Sequence, residues 1–154
     1  MEDDDWFEKE RLHRAAEAGD LKEIEALLKE GLPINAFDQD LSRTPLHYAA
    51  IAGHVDAVRC LIDAGADVNA HEEEKIGETP LGAVAANCTF EMAKILIDAG
   101  ADPTIPGWMC LTALDRSEER KRPEGKKVHK LLVDTAKRRY PNWPLLQIYL
   151  KNLE

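Results

Sequence analysis

Five histidines and three cysteines are the residues of this chain best suited to acid–base, nucleophilic or metal chemistry. A nucleophilic cysteine needs a neighbouring base and a depressed pKa. Neither is visible around Cys60, Cys88 or Cys110. The three thiols are odd in number, widely spaced and free of any C-x-x-C pattern, which reads as reduced cysteines in a cytoplasmic compartment, or a nuclear one in a eukaryote. A metal site needs ligands at a set spacing, such as His-x3-His or paired cysteines. His71 stands beside Glu72-Glu73-Glu74, but no such pairing supports it. No Gly-rich phosphate loop is present. Arg120-Lys121-Arg122 and Lys126-Lys127 have the spacing of a nucleic-acid or nuclear-import patch. Acidic residues interleave there and no aromatic residue offers a base a stacking platform, so the stretch reads as a solvated loop. No catalytic residue, metal or cofactor is expected.

Composition narrows the partner. The net charge is −9, yet residues 116–139 carry +6, so the remainder carries −15. Such a surface repels nucleic acid and anionic lipid and attracts a basic protein. Aromatic residues make up only 6% of the chain while Ala and Leu are frequent, which favours close-packed helices over a β-sandwich. The opening Met1-Glu2-Asp3-Asp4-Asp5-Trp6-Phe7 lacks a basic segment followed by an apolar one, so no secretory signal is expected. No apolar run approaches the roughly 20 residues that cross a bilayer.

What must position any site is a repeat. Taking Thr44 as phase zero, Leu12-His13-Arg14-Ala15-Ala16-Glu17-Ala18-Gly19 falls 34 residues before Leu46-His47-Tyr48-Ala49-Ala50-Ile51-Ala52-Gly53. Thr79-Pro80-Leu81 follows Thr44-Pro45-Leu46 by 35 residues, and Thr112-Ala113-Leu114 comes 33 later. His13 and His47 thus share one repeat position, which points to architecture before chemistry. With its Thr44-Pro45-Leu46-His47-Tyr48-Ala49 signature and this period, the chain resembles the ankyrin repeat family, over about 85% of its length. The resemblance implies an all-α repeat fold, an ankyrin solenoid of stacked helix-turn-helix units with short β-turn or hairpin fingers. It also implies protein–protein binding, and a structural His47 that bonds Thr44 and the backbone. Four units are expected at about 8–38, 39–73, 74–106 and 107–139, followed by a tail at 140–154.

Each unit has its own physical logic. Thr44 suits an N-cap and Pro45 a first helical turn, where its missing N–H costs nothing. Leu46, Ala49 and Ala50 make one apolar stripe, and Val58, Leu61 and Ile62 make another on the second helix. Gly53 and Gly65 suit helix ends. Neither helix can bury its face alone, so the units must stack. Departures mark later copies: Gly82 for the signature His, Asn87-Cys88 for Ala-Gly, Pro103-Thr104 for Val-Asn, and Ala113 and Asp115 for Pro and His. Pro123 and Gly125 predict a helix break in a lengthened connection. In the tail, Leu145, Leu146, Ile148, Tyr149, Leu150 and Leu153 load a short helix expected to cap the stack, with a docking peptide as the rival. Trp6-Phe7 is read as a staple on the first helices.

The partner site is expected where units lengthen or present large side chains. The finger residues Phe37, Asp38, Asp40, Leu41 and Arg43, then Glu72, Glu73, Glu74, Ile76 and Glu78, supply an acidic rim. Tyr48 and Ile51, which need not be exposed for folding, supply an apolar floor. Trp108 and Met109 supply a third tip of the kind that carries disproportionate binding energy, with packing on the last unit as the alternative for Trp108. Groove-facing positions by phase are Arg14, Glu17, Ala18, Tyr48, Ile51, Ala52, Ala83, Ala86, Asn87, Arg116, Glu119 and Arg120. The function expected is non-catalytic binding of a basic protein by a chain that is monomeric in isolation, with no nucleic acid or membrane involved. The roles in view are adaptor and stoichiometric inhibitor, including a bacterial immunity-type protein neutralising a toxin, with a non-catalytic enzyme subunit as a further alternative. Small size, a single domain and negative charge favour the inhibitor.

Overall fold

The structure, a computed structural model, describes residues 5–118, 123–151 and 153. Helix α1 (Asp5–Lys9) leads into helix pairs α2 (Arg11–Ala18) and α3 (Leu21–Lys29), α4 (Pro45–Ala52) and α5 (Val55–Asp63), α6 (Pro80–Val84) and α7 (Phe90–Asp98), and α8 (Ala113–Glu118) and α9 (Pro123–Arg139); α10 (Leu146–Lys151) ends the chain. The first members of the pairs form a row, α2 against α4, α4 against α6 and α6 against α8, while α3 lies by α5 and α7 by α9. Leu12, Leu46, Leu81 and Leu114 hold one repeat position and all are buried; Leu27, Leu61, Leu96 and Leu132 do the same in the outer helices. Each contributes roughly 1.5–3 kcal/mol through apolar burial, and Ala49, Ala50 and Ala85 let the helices approach closely. This is an all-α repeat solenoid.

Helix ends follow from local chemistry. Gly19 and Gly53 take the left-handed conformation (φ +70° and +78°) that closes α2 and α4. Cys88 stands where Gly53 does in the preceding pair, without a left-handed backbone, and α6 stops early at Val84. Asp20, Thr79 and Thr89 accept backbone N–H groups as N-caps of α3, α6 and α7. Pro123 opens α9 and Gly125 lies inside it, so the break expected at these two residues does not fall on them. The segment 119–122, with Glu119, Arg120, Lys121 and Arg122, lies outside the described residues, as do 1–4.

Polar side chains stitch one pair to the next. Thr44 donates its N–H (3.0 Å) and hydroxyl (2.8 Å) to His47 Nδ1, so Nε2 carries the proton and donates to the Glu78 carbonyl at 2.6 Å. Burial pushes His47 down to about 4, which keeps it neutral, against the opposing effect of that hydrogen bond. Its role is therefore architectural. Asn35 Oδ1 accepts from the Asp67 N–H (2.8 Å), and Asn69 Oδ1 from the Asp102 N–H (2.7 Å).

The fourth pair changes the device. Asp115, in the histidine position, accepts the Thr112 N–H (2.8 Å) and hydroxyl (2.7 Å) through Oδ2. Its Oδ1 takes the Tyr149 hydroxyl of α10 at 2.6 Å. An acceptor replaces the donor because the next element offers a hydroxyl instead of a carbonyl. Leu146 and Tyr149 are buried, and Trp143 stacks on Tyr149 with ring centroids 5.8 Å apart. Trp6 and Phe7 are about half exposed; Phe7 lies under the Arg14 guanidinium, 3.7 Å from its ring centroid.

The finger geometry follows the turn form of the two expected. Among the described residues no strand forms, so the fingers are closed turns and not strand hairpins. In the first, the Asp38 N–H meets the Arg43 carbonyl at 2.9 Å, while Asp38 Oδ1 accepts the Leu41 N–H at 2.8 Å. The extra residues of the second wind into a single 3₁₀ turn, Glu73–Lys75, closed by Gly77 N–H to Glu72 O at 2.9 Å. The third contains a 3₁₀ turn at Trp108–Cys110, closed by Gly107 N–H to Leu111 O at 2.9 Å.

Candidate protein-binding face on the fingers

Three finger tips expose large apolar side chains: Leu41 at 55%, Ile76 at 54%, and Trp108 and Met109 at 60% and 66%. Ser42, Ile76, Met109 and Cys110 all hold φ between +53° and +59°. A β-branched residue such as Ile76 is rarely found in that conformation, and strain of this kind gathers at functional surfaces. Between the fingers opens a cleft of about 450 Å³, walled by Leu41, Arg43, Ile76, Glu78 and Trp108 and floored by His47, Ala83 and Arg116 from α4, α6 and α8. Trp108 thus stands on the cleft wall and does not pack into the last pair.

The acidic rim is smaller than the sequence suggested. Asp38 is buried: it accepts the Tyr48 hydroxyl and the Leu41 and Arg43 amides, which hold its carboxyl below the usual range although burial opposes them. It shapes the finger and cannot meet a partner. Glu78 is ion-paired with Arg116, 38 residues away in sequence and on α8. Glu72 is half-buried and pairs with Lys75 at 3.0 Å. That leaves Asp40, Glu73 and Glu74 exposed, with Glu73 3.6 Å from His71 Nε2. Phe37 is half-buried.

Tyr48 also serves the fold. Its hydroxyl holds Asp38, its ring sits edge-on to His13 at 5.9 Å, and Arg43 lies 6.0 Å from its centroid. Burial and the Asp38 carboxylate push its pKa well above the ordinary tyrosine value. Nor do Tyr48 and Ile51 share a floor. Ile51, 44% exposed, lines a separate cavity of about 320 Å³ with Val55, Val84, Cys88 and Met92, beside the shortened end of α6. Sequence reasoning left Lys75 out of the site, and Arg116 was only a groove position by phase. The signal for Arg116 was that phase; its pairing with Glu78 depends on how far the second finger reaches.

Burial, reinforced by Glu25 and Asp63, pushes the Cys60 thiol up and away from the thiolate. Among the described residues no group of three His, Cys, Asp or Glu could hold a metal, and no helix is long and apolar enough to cross a membrane. A family model for ankyrin repeats, in three copies, matches residues 12–106. Comparison with curated proteins gives no match.

Proposed function

The chain belongs to the ankyrin repeat family, whose repeats generally serve as protein–protein interaction modules, and from that premise we propose that it captures a protein partner, without catalysis, on the face formed by its three fingers. The row Leu41, Ile76, Trp108 and Met109 carries this reading. These side chains are exposed at the tips, while the equivalent apolar positions of the helices are buried. A rigid, preformed surface of this kind loses little ordering entropy on binding. Residues 107–139 act as a fourth unit and α10 as its cap, supported by the burial of Leu146 and Tyr149. Asp40, Glu73 and Glu74, on a chain of net charge −9, favour a partner with basic residues around an apolar anchor. Such a molecule serves as an adaptor or a stoichiometric inhibitor, in a cytosolic or nuclear setting compatible with three cysteines held in no disulfide.

The test is capture from the native host by the tagged chain, read by mass spectrometry, with a Leu41→Ser/Trp108→Ser variant beside it. Partners retained by the wild type and lost by the folded variant support the reading. Partners retained equally by both refute the finger face.

A further inference from the structure

Inside the cleft, unlike the rim, cations balance the carboxylates. Arg43, Lys75 and Arg116 line it against Asp40 and Glu78. Lys75 is neutralised by Glu72, and Arg116 by Glu78. Arg43 has no ion pair and no side-chain hydrogen bond among the described residues; its guanidinium lies 6.0 Å from the centroid of the Tyr48 ring. Arg116 Nε, shielded from solvent, also lacks an acceptor. Against the exposed carboxylate of Asp40, the cleft thus offers the Arg43 guanidinium and the Arg116 Nε–H without acceptors, between the apolar walls of Leu41, Ile76 and Trp108. A guanidinium presents a planar fork that fits a carboxylate, and partial exclusion of water strengthens the pairing.

Resting on the finger-face reading, we propose that the cleft receives one carboxylate side chain of the partner, carried on an apolar stretch, with Arg43 as its receptor. The carboxylate accepts from the Arg43 fork while its apolar neighbours contact Leu41, Ile76 and Trp108. Basic residues flanking that anchor then reach Asp40, Glu73 and Glu74. A phosphoryl dianion fits less well, because Asp40 and Glu78 line the same cleft. The partner segment is thus acidic at its centre and basic at its edges, which separates it from a uniformly basic surface.

The probe is a random twelve-residue peptide library displayed on phage, selected on the immobilised full chain. Enriched peptides are synthesised and titrated against wild type, Arg43→Ala, Leu41→Ser/Ile76→Ser, and Lys22→Ala on the opposite face as a control. Circular dichroism confirms that each variant is folded. The expected result is a shared Asp or Glu amid apolar residues. Changing it to Asn or Gln weakens binding about tenfold or more to the wild type and has little further effect against Arg43→Ala. Peptides lost on Leu41→Ser/Ile76→Ser that lack a carboxylate, or show no coupling to Arg43, overturn the inference and leave the finger face standing. Absence of any peptide sensitive to Leu41→Ser/Ile76→Ser overturns both.

Discussion

Replacing Tyr149 by Phe removes one hydroxyl from the junction between α10 and the last helix pair. Asp115 divides its contacts: Oδ2 holds Thr112 twice, while Oδ1 has the Tyr149 hydroxyl at 2.6 Å. Tyr149 is 6% exposed, so water has little access to the oxygen left behind. Stranding a carboxylate oxygen in this way costs about 2 kcal/mol, while the Trp143 stacking survives in the variant. For a chain of this length that loss lowers Tm by about 4–8 °C. Tyr149→Phe, Asp115→Asn and the double variant form a cycle, measured by urea unfolding. A coupling of about 1 kcal/mol or more is expected. Amide hydrogen exchange should place the loosening in α9 and α10, with α2–α5 protected as before, because stability in a solenoid is carried by neighbouring units. A coupling under about 0.5 kcal/mol, or loosening spread evenly over the chain, would refute the cap.

Ile76→Gly removes a β-branched side chain from a left-handed backbone (φ +54°). Relief of about 1–2 kcal/mol, less the added freedom of the unfolded chain, leaves a net gain of a few tenths to about 1 kcal/mol in thermal unfolding. Acidification from pH 7.5 to 4.5 should destabilise the protein through its buried histidines. The folded pKa of His47 is lowered to about 4 from an ordinary 6.5. Only the unfolded chain takes up the proton between those values, so stability present above 6.5 is lost as pH falls towards 4. The loss attributable to His47 is about 3 kcal/mol, and His129, also lowered by burial, adds to it. A His47→Asn variant, less stable at neutral pH, should show a shallower slope in urea midpoints across that window. Glu73→Lys/Glu74→Lys should slow partner association several-fold at low salt and leave Tm nearly unchanged, because neither side chain is buried.

The scaffold was legible because its devices are local or periodic. Thr44 with Pro45 and the closing Gly53 act within a few residues, and the leucine positions recur with the repeat. The histidine position was legible for the same reason, while its bond with Thr44 came from the family resemblance. The site was only partly legible. Whether an aspartate points outward or folds back depends on loop closure: Asp38 turned inward to hold Leu41, Arg43 and Tyr48, while Asp40, two residues on, stayed exposed. Glu78 was drawn from the rim by Arg116, a pairing set by the reach of a lengthened finger. Ile51 lies apart from the finger cleft, in the cavity beside the early end of α6 at Val84. Asp115 was visible as a departure, but its reason required the Tyr149 hydroxyl to be in place.

The claim that the fingers are the binding face is tested most directly by amide hydrogen exchange on the chain, alone and with its captured partner bound. Protection concentrated at residues 37–43, 72–78 and 107–111, with α3 and α5 unchanged, is the predicted result. Protection confined to α3, α5 or the outer side of α9, with the fingers exchanging as freely as before, would contradict it.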